Sequence, residues 1–203
     1  MSQTDAKPTS TPSKLVDGYS FIFLQSTSGK KNKENYLLQH KYRFKSSNGQ
    51  VYIVDVEEYK FKVFVMKFYL KNHAQSDHRY SYVAPTKKRL SKNKKLGPKP
   101  VYAGRVFTTC LNILKKVSVE NPGASFGIQG APRTNEDTMC DTQRYRVYSY
   151  LAKNYFSPEN FEHLFNIEKS TYLLLNKANK TKELKKKIED MFNSCYNDVF
   201  EIH

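Results

Sequence analysis

Tyr36–Tyr59, YLLQHKYRFKSSNGQVYIVDVEEY, decides the fold class. In its first ten residues Tyr36, Leu38, His40, Tyr42 and Phe44 fall on one side. Gln39, Lys41, Arg43 and Lys45 fall on the other. Alternation with a period of two is the mark of a half-exposed strand. Ser46-Ser47-Asn48-Gly49 follows, and Asn-Gly accepts positive φ cheaply, so a hairpin turn is expected there. Residues 50–59 then form the partner strand. Tyr59–Leu70, YKFKVFVMKFYL, alternates again, with Phe61, Val63, Val65 and Lys67 against Lys62, Phe64, Met66 and Phe68. Apolar groups on both sides predict a central strand covered on both faces.

Outward from this meander the patterns change. Upstream, Tyr19–Leu24 reads as a short strand and Ser26–Asn35 as a polar turn. Residues 1–17, rich in Ser, Thr, Pro and Lys, read as a flexible tail. Downstream, a short strand near Arg79–Val83 is expected to close the meander. Val106, Cys110, Ile113, Leu114 and Val117 repeat with helical spacing, which predicts a helix over Gly104–Ser118, stopped by Asn121-Pro122-Gly123. Ala124–Gly130 reads as a short buried strand. Asp141 or Thr142 caps a helix running to Tyr155. Ser157–Asn160 restarts the chain with a short helix to Phe165. Ser170–Lys177 reads as a strand, and Thr181–Tyr196 as the last helix. The expectation is an α+β fold. An antiparallel sheet meander is followed by α-β-α-β-α, with the helices packed on one face of the sheet. Residues 18–203 are expected to form a single domain with a basic loop at 86–100.

Composition bounds what the chain can do. It has 203 residues, a formal charge of +15, 15 Tyr, 13 Phe and no Trp, so an aromatic core is expected. Cys110, Cys140 and Cys195 are odd in number and widely spaced, giving neither a disulfide framework nor a paired metal motif. The N-terminal residues lack an apolar h-region, and no run approaches the length needed to span a bilayer. A cytoplasmic protein, in a bacterial or a host cell, with no membrane contact is expected.

The charge is unevenly spread. His78–Val119 holds 11 Lys and Arg and no Asp or Glu. At its centre, Thr86–Pro100 carries Lys87, Lys88, Arg89, Lys92, Lys94, Lys95 and Lys99 with almost nothing apolar. Such a run suits a polyanion, of which nucleic acid is the commonest, or serves as a solvated connection. A second neighbourhood gathers Arg133, Arg144 and Arg146 with Tyr145 and Tyr148. Arginine forks match phosphate oxygens and tyrosine can stack on a base. Arg144 and Arg146 are two residues apart, so they do not share a helix face.

Other constellations are weaker. Asp55 and Glu57 share a strand face and would suit Mg²⁺ if a third carboxylate joined them; a solvated strand face is the plainer reading. His73, Asp77 and His78 lie in a loop and lack further ligands. Gly127 and Gly130 lack the third glycine of a dinucleotide fingerprint, and Ser28–Lys31 lacks the upstream glycine of a phosphate-binding loop. No cofactor is expected.

Asn121-Pro122, Phe126–Gly130, and Arg144, Arg146 and Tyr148–Tyr150 carry one resemblance. Arg105–Tyr155, about a quarter of the chain, resembles a pattern in small uncharacterised bacterial and mobile-element proteins. The resemblance implies a phage or plasmid origin, where anti-defence and toxin proteins often have this look. It implies no particular activity.

The leading expectation is therefore a nucleic-acid-binding accessory protein without catalysis, engaging DNA or RNA. Its site residues would be Lys87, Lys88, Arg89, Lys92, Lys94, Lys95, Lys99, Arg133, Arg144 and Arg146, with Lys41 and Arg43 extending the surface. One alternative is a protein-binding inhibitor or anti-defence module that meets an acidic host or partner protein through Tyr69, Tyr80, Tyr82 and Tyr102. Another is an enzyme acting on nucleic acid or nucleotides.

Overall fold

A computed structural model describes residues 17–29, 35–76, 79–80, 100–129, 140–179, 181 and 183–196. The alternating stretches build a meander of four strands: β1 (Phe21–Ser28), β2 (Leu38–Lys45), β3 (Val51–Tyr59) and β4 (Val63–Leu70). Helix α1 (Pro100–Glu120) crosses over to β5 (Ser125–Gln129). Then come α2 (Gln143–Tyr155), β6 (Phe161–Asn166), β7 (Thr171–Asn176) and α3 (Leu184–Tyr196). The strands form one seven-stranded sheet in the order β1-β2-β3-β4-β5-β7-β6. All pairs are antiparallel except β4 with β5, which the α1 crossover makes parallel. The architecture is α+β, as the sequence implies.

The register explains the two faces. Tyr42 and Phe44 stand in line with Val54 and Tyr52, and these with Phe68 and Leu70. With Phe126, Ile128, Tyr172 and Leu174 they form the main core, covered by α1 through Phe107, Cys110, Leu111 and Leu114 and by α2 through Tyr148, Leu151 and Ala152. Call this face A. Aromatic rings dominate it: Phe44 stacks on Tyr52 at 5.0 Å between centroids, and Phe107 meets Tyr148 edge to face at 5.1 Å. The intervening residues make face B. There Tyr59, Val63, Val65, Leu173 and Leu175 pack against Leu184, Ile188 and Phe192 of α3. Gly127 lies under that helix. A Cβ on it would stand 3.3 Å from Val65 Cγ2 and 3.5 Å from Phe192 Cζ, so the bare backbone lets the ring settle on the sheet.

Several expectations are corrected. Helix α3 lies on the face opposite α1 and α2, because its apolar stripe meets the face B residues rather than those of face A. A seventh strand, β6, stands where a short helix after Ser157 was expected. His163 and Phe165 share a face there, so the segment alternates with a period of two over too few residues to be distinctive. Arg79 and Tyr80 lie in a turn and not in a strand, with the Arg79 amide donating to the Ser76 carbonyl at 3.0 Å. Strand β1 runs through Ser28, into the expected polar turn, because Ser26–Ser28 keep pairing with Leu38–His40. Helix α1 starts at Pro100, a residue with no amide hydrogen to lose at a first helical turn. The hairpin turn holds, with Gly49 alone at φ 82°. Among the described residues, no helix is long and apolar enough to cross a membrane.

Candidate polyanion interface

Face B divides into two halves. Under α3 it is apolar. Beyond α3, across β2, β3 and β4, it carries charge. The register sets Lys41 of β2 and Lys67 of β4 beside Asp55 of β3. Asp55 is 1% exposed, which is rare for a carboxylate. Lys41 Nζ lies 3.3 Å from Asp55 Oδ1, and Lys67 Nζ lies 2.7 Å from Glu57 Oε2. Glu57 also accepts from the Tyr59 hydroxyl at 2.9 Å and from Gln39 Nε2 at 3.4 Å.

Tyr80 completes this cluster from above. Its hydroxyl donates to Asp55 Oδ2 at 2.9 Å, and its carbonyl accepts from Arg144 Nη1 of α2 at 2.8 Å. Its ring meets Tyr69 edge to face at 5.4 Å. The Arg79 guanidinium sits 4.8 Å from the Tyr80 ring centre and 5.6 Å from that of Tyr69. Tyr80 thus ties the sheet to α2.

Burial raises the pKa of Asp55, and the attraction of Lys41 and the Tyr80 hydrogen bond offset this only in part. Burial pulls Lys41 down, but Asp55 and Tyr69 pull it up by more, so its net shift is upward. The two directions oppose each other: burial costs the Asp55 carboxylate more than its partners return, while the partly exposed Lys41 ammonium gains, so the desolvation cost of the pair falls on Asp55. The Tyr80 hydroxyl is pushed far up by burial and by Asp55, so it stays a donor. Asp55 and Glu57 therefore hold lysines and tyrosines. Among the described residues no group of three or more His, Cys, Asp or Glu is gathered for a metal ion.

Arg43 and Lys45 continue the row that starts at Lys41. Both are exposed, and neither makes an ion pair among the described residues. Successive cations on one strand face stand about 6.6–6.8 Å apart, two residues of strand rise. Lys71, just past β4, is exposed as well.

The other expected site residues fall as follows. Lys87, Lys88, Arg89, Lys92, Lys94, Lys95, Lys99 and Arg133 lie outside the described residues, as do Asp77, His78 and Tyr82. Arg144 is 4% exposed and holds Tyr80. Arg146 points to solvent, where it reaches the carbonyl and, at 3.0 Å, the Oδ2 of Asp141. The two arginines leave α2 in different directions, as their spacing requires. Tyr69 and Tyr80, expected as outward anchors, turn inward to each other and to Asp55. Sequence reasoning missed this junction. Its one available signal was the phase: Lys41, Asp55 and Lys67 all sit in the polar phase of neighbouring strands, where opposite charges pair across a ladder.

Compared with family models, with curated proteins and with solved structures, the chain matches none.

Proposed function

We propose that this chain is a nucleic-acid-binding accessory protein that grips the phosphate backbone of DNA or RNA without catalysis. The observation that carries the reading is the cation row of β2 on the half of face B that α3 leaves open. Arg43 and Lys45 are exposed there and have no carboxylate partner among the described residues. Tyr80, fixed over Asp55 on the same face, is the last described residue before the run that contains Lys87–Lys99. The seven cations of that run follow Tyr80 in the sequence. Asp55 and Glu57, the carboxylates a nuclease reading would use, are occupied by Lys41, Lys67, Tyr80 and Tyr59.

Titration of duplex and single-stranded oligonucleotides across a range of salt tests the proposal. Binding should weaken steeply with salt, by a slope of about 0.9 per neutralised phosphate on duplex. Arg43→Gln with Lys45→Gln should reduce the slope by about 2 and leave the fold unchanged. No binding at low salt, or binding indifferent to salt, would sink the reading. A partner captured from lysate that survives nuclease treatment would favour an acidic protein ligand instead.

A further inference from the structure

The two ends of the sheet are unlike. Strand β6 closes one end and carries Glu162 and His163. Strand β1 closes the other with FIFLQSTS, eight residues without a charge or a proline. Among the described residues nothing pairs with its outer edge. Open edges offer unpaired amides and carbonyls to any other strand, and proteins ordinarily blunt them with charges, prolines or bulges. A bulge between Phe23 and Gln25 is the one such device in β1. It does not hide the apolar residues: Ile22, Phe23 and Leu24 are 49%, 51% and 40% exposed. Ile22 lies in line with Arg43 on face B, and Phe23 with Tyr42 on face A, so both sides of the strand are apolar at this point.

We infer that β1 is a homodimerisation edge, paired antiparallel with β1 of a second copy about a two-fold axis. Charge complementarity selects this occupant. A strand added to β1 would face Phe, Ile, Leu, Gln, Ser and Thr and find no ion to answer a charge of its own. The uncharged β1 of a second copy meets that requirement. Self-pairing of one edge closes after two subunits, whereas β1 against β6 would propagate into a filament. The dimer would join two seven-stranded sheets into one. It would also bring the Lys41–Arg43–Lys45 rows of both copies onto one continuous face, about 14 Å apart across three strand spacings. The inference needs no nucleic acid and stands or falls separately from the binding reading.

Sedimentation equilibrium of the full chain without nucleic acid tests it. A reversible dimer is expected, and Ile22→Lys with Leu24→Lys should weaken it by at least about tenfold, with the melting temperature little changed at concentrations where the parent is monomeric, because both side chains are exposed in the single chain. Dimerisation should strengthen as salt rises, since two chains of charge +15 repel and screening tightens from about 8 Å to about 3 Å between physiological and molar salt. Nucleic-acid binding runs the opposite way with salt, so the two failures are distinguishable. Amide exchange on the unaltered protein gives an independent readout, with Phe21–Ser28 becoming more protected as concentration rises. A monomer at every concentration, a dimer untouched by the two lysines, or exchange at β1 that ignores concentration would each overturn the inference.

Discussion

Replacing Lys41 by Met removes a cation from a carboxylate that solvent cannot reach. Asp55 is 1% exposed and its partner Lys41 is 27% exposed at the side chain. Breaking a fully buried pair from one side costs about 3–5 kcal/mol. Here the lysine is partly solvated, and Tyr80 still donates to Asp55, so the expected loss is about 1–3 kcal/mol. Asp55→Asn removes the charge and keeps the shape. It forfeits the Lys41 attraction but also the desolvation cost, so it should stay within about 1 kcal/mol of the parent. The double variant should then cost less than the two single changes added together, a coupling of about 1–2 kcal/mol.

The pH dependence sharpens this. Burial raises the pKa of Asp55 in the folded state above the ordinary value of 3.8. The contribution of a group raised in this way is complete below that value and is lost as pH rises through the folded pKa. Removing Lys41 takes away the main opposing attraction, so the folded pKa climbs further. The destabilisation by Lys41→Met should be small near pH 4 and full at pH 7. Urea unfolding at several pH values, fitted to two states with a common slope, measures it. A penalty that does not change with pH, or Asp55→Asn costing more than Lys41→Met, would refute the reasoning.

Two further outcomes follow from the same structure. His163 bonds the Tyr172 hydroxyl through Nδ1 at 2.7 Å and the Phe156 carbonyl through Nε2 at 3.0 Å, and its pKa is lowered by burial, with Lys153 and Lys177 acting in the same direction. A lowered imidazole gives stability that is present above the unfolded value of 6.5 and lost as pH falls below it. His163→Gln should flatten that acid-side slope in melting scans between pH 5 and 7.5; an unchanged slope counts against the assignment. Cys110 is 0% exposed and burial pushes its thiol far up, whereas Cys140 is exposed. A thiol reagent should label Cys140 in the native protein and Cys110 only on unfolding, read by mass spectrometry.

The meander was legible because Tyr36–Lys45 alternates with a period of two and Asn48-Gly49 marks the turn that follows, and a strand with one buried face fixes its own register. Helix α1 was legible from Val106, Cys110, Ile113, Leu114 and Val117, all of which reach the core. Strand β6 was not, because six residues hold too few periods to separate strand from helix. The side of the sheet taken by α3 was also hidden. An apolar stripe says that a helix buries a face, and not which face of a sheet receives it. The Tyr80 junction was out of reach for a different reason. Tyr80 meets Asp55, 25 positions before it, through its hydroxyl and Arg144, 64 positions after it, through its carbonyl, and neither contact leaves a periodic trace.

The junction also changes how the charge of the chain should be counted. A formal +15 suggests that every lysine on the open half of face B is available to a phosphate. Lys41 and Lys67 are not, since they neutralise Asp55 and Glu57. Arg144 is committed to the Tyr80 carbonyl and Arg146 to Asp141. What remains on the β2 row is Arg43 and Lys45, worth a salt slope of about 2 on duplex. A slope well above that in the intact protein would require cations elsewhere, and the Lys87–Lys99 run is the densest supply in the sequence. Neutralising Arg43 and Lys45 in one variant, and Lys92, Lys94 and Lys95 in another, therefore divides the slope between face and run. If the second variant keeps the full slope, the run is a solvated connection and the β2 face binds alone. If the first keeps it, the face is a bystander, and the buried Asp55 cluster serves only to fix the fold.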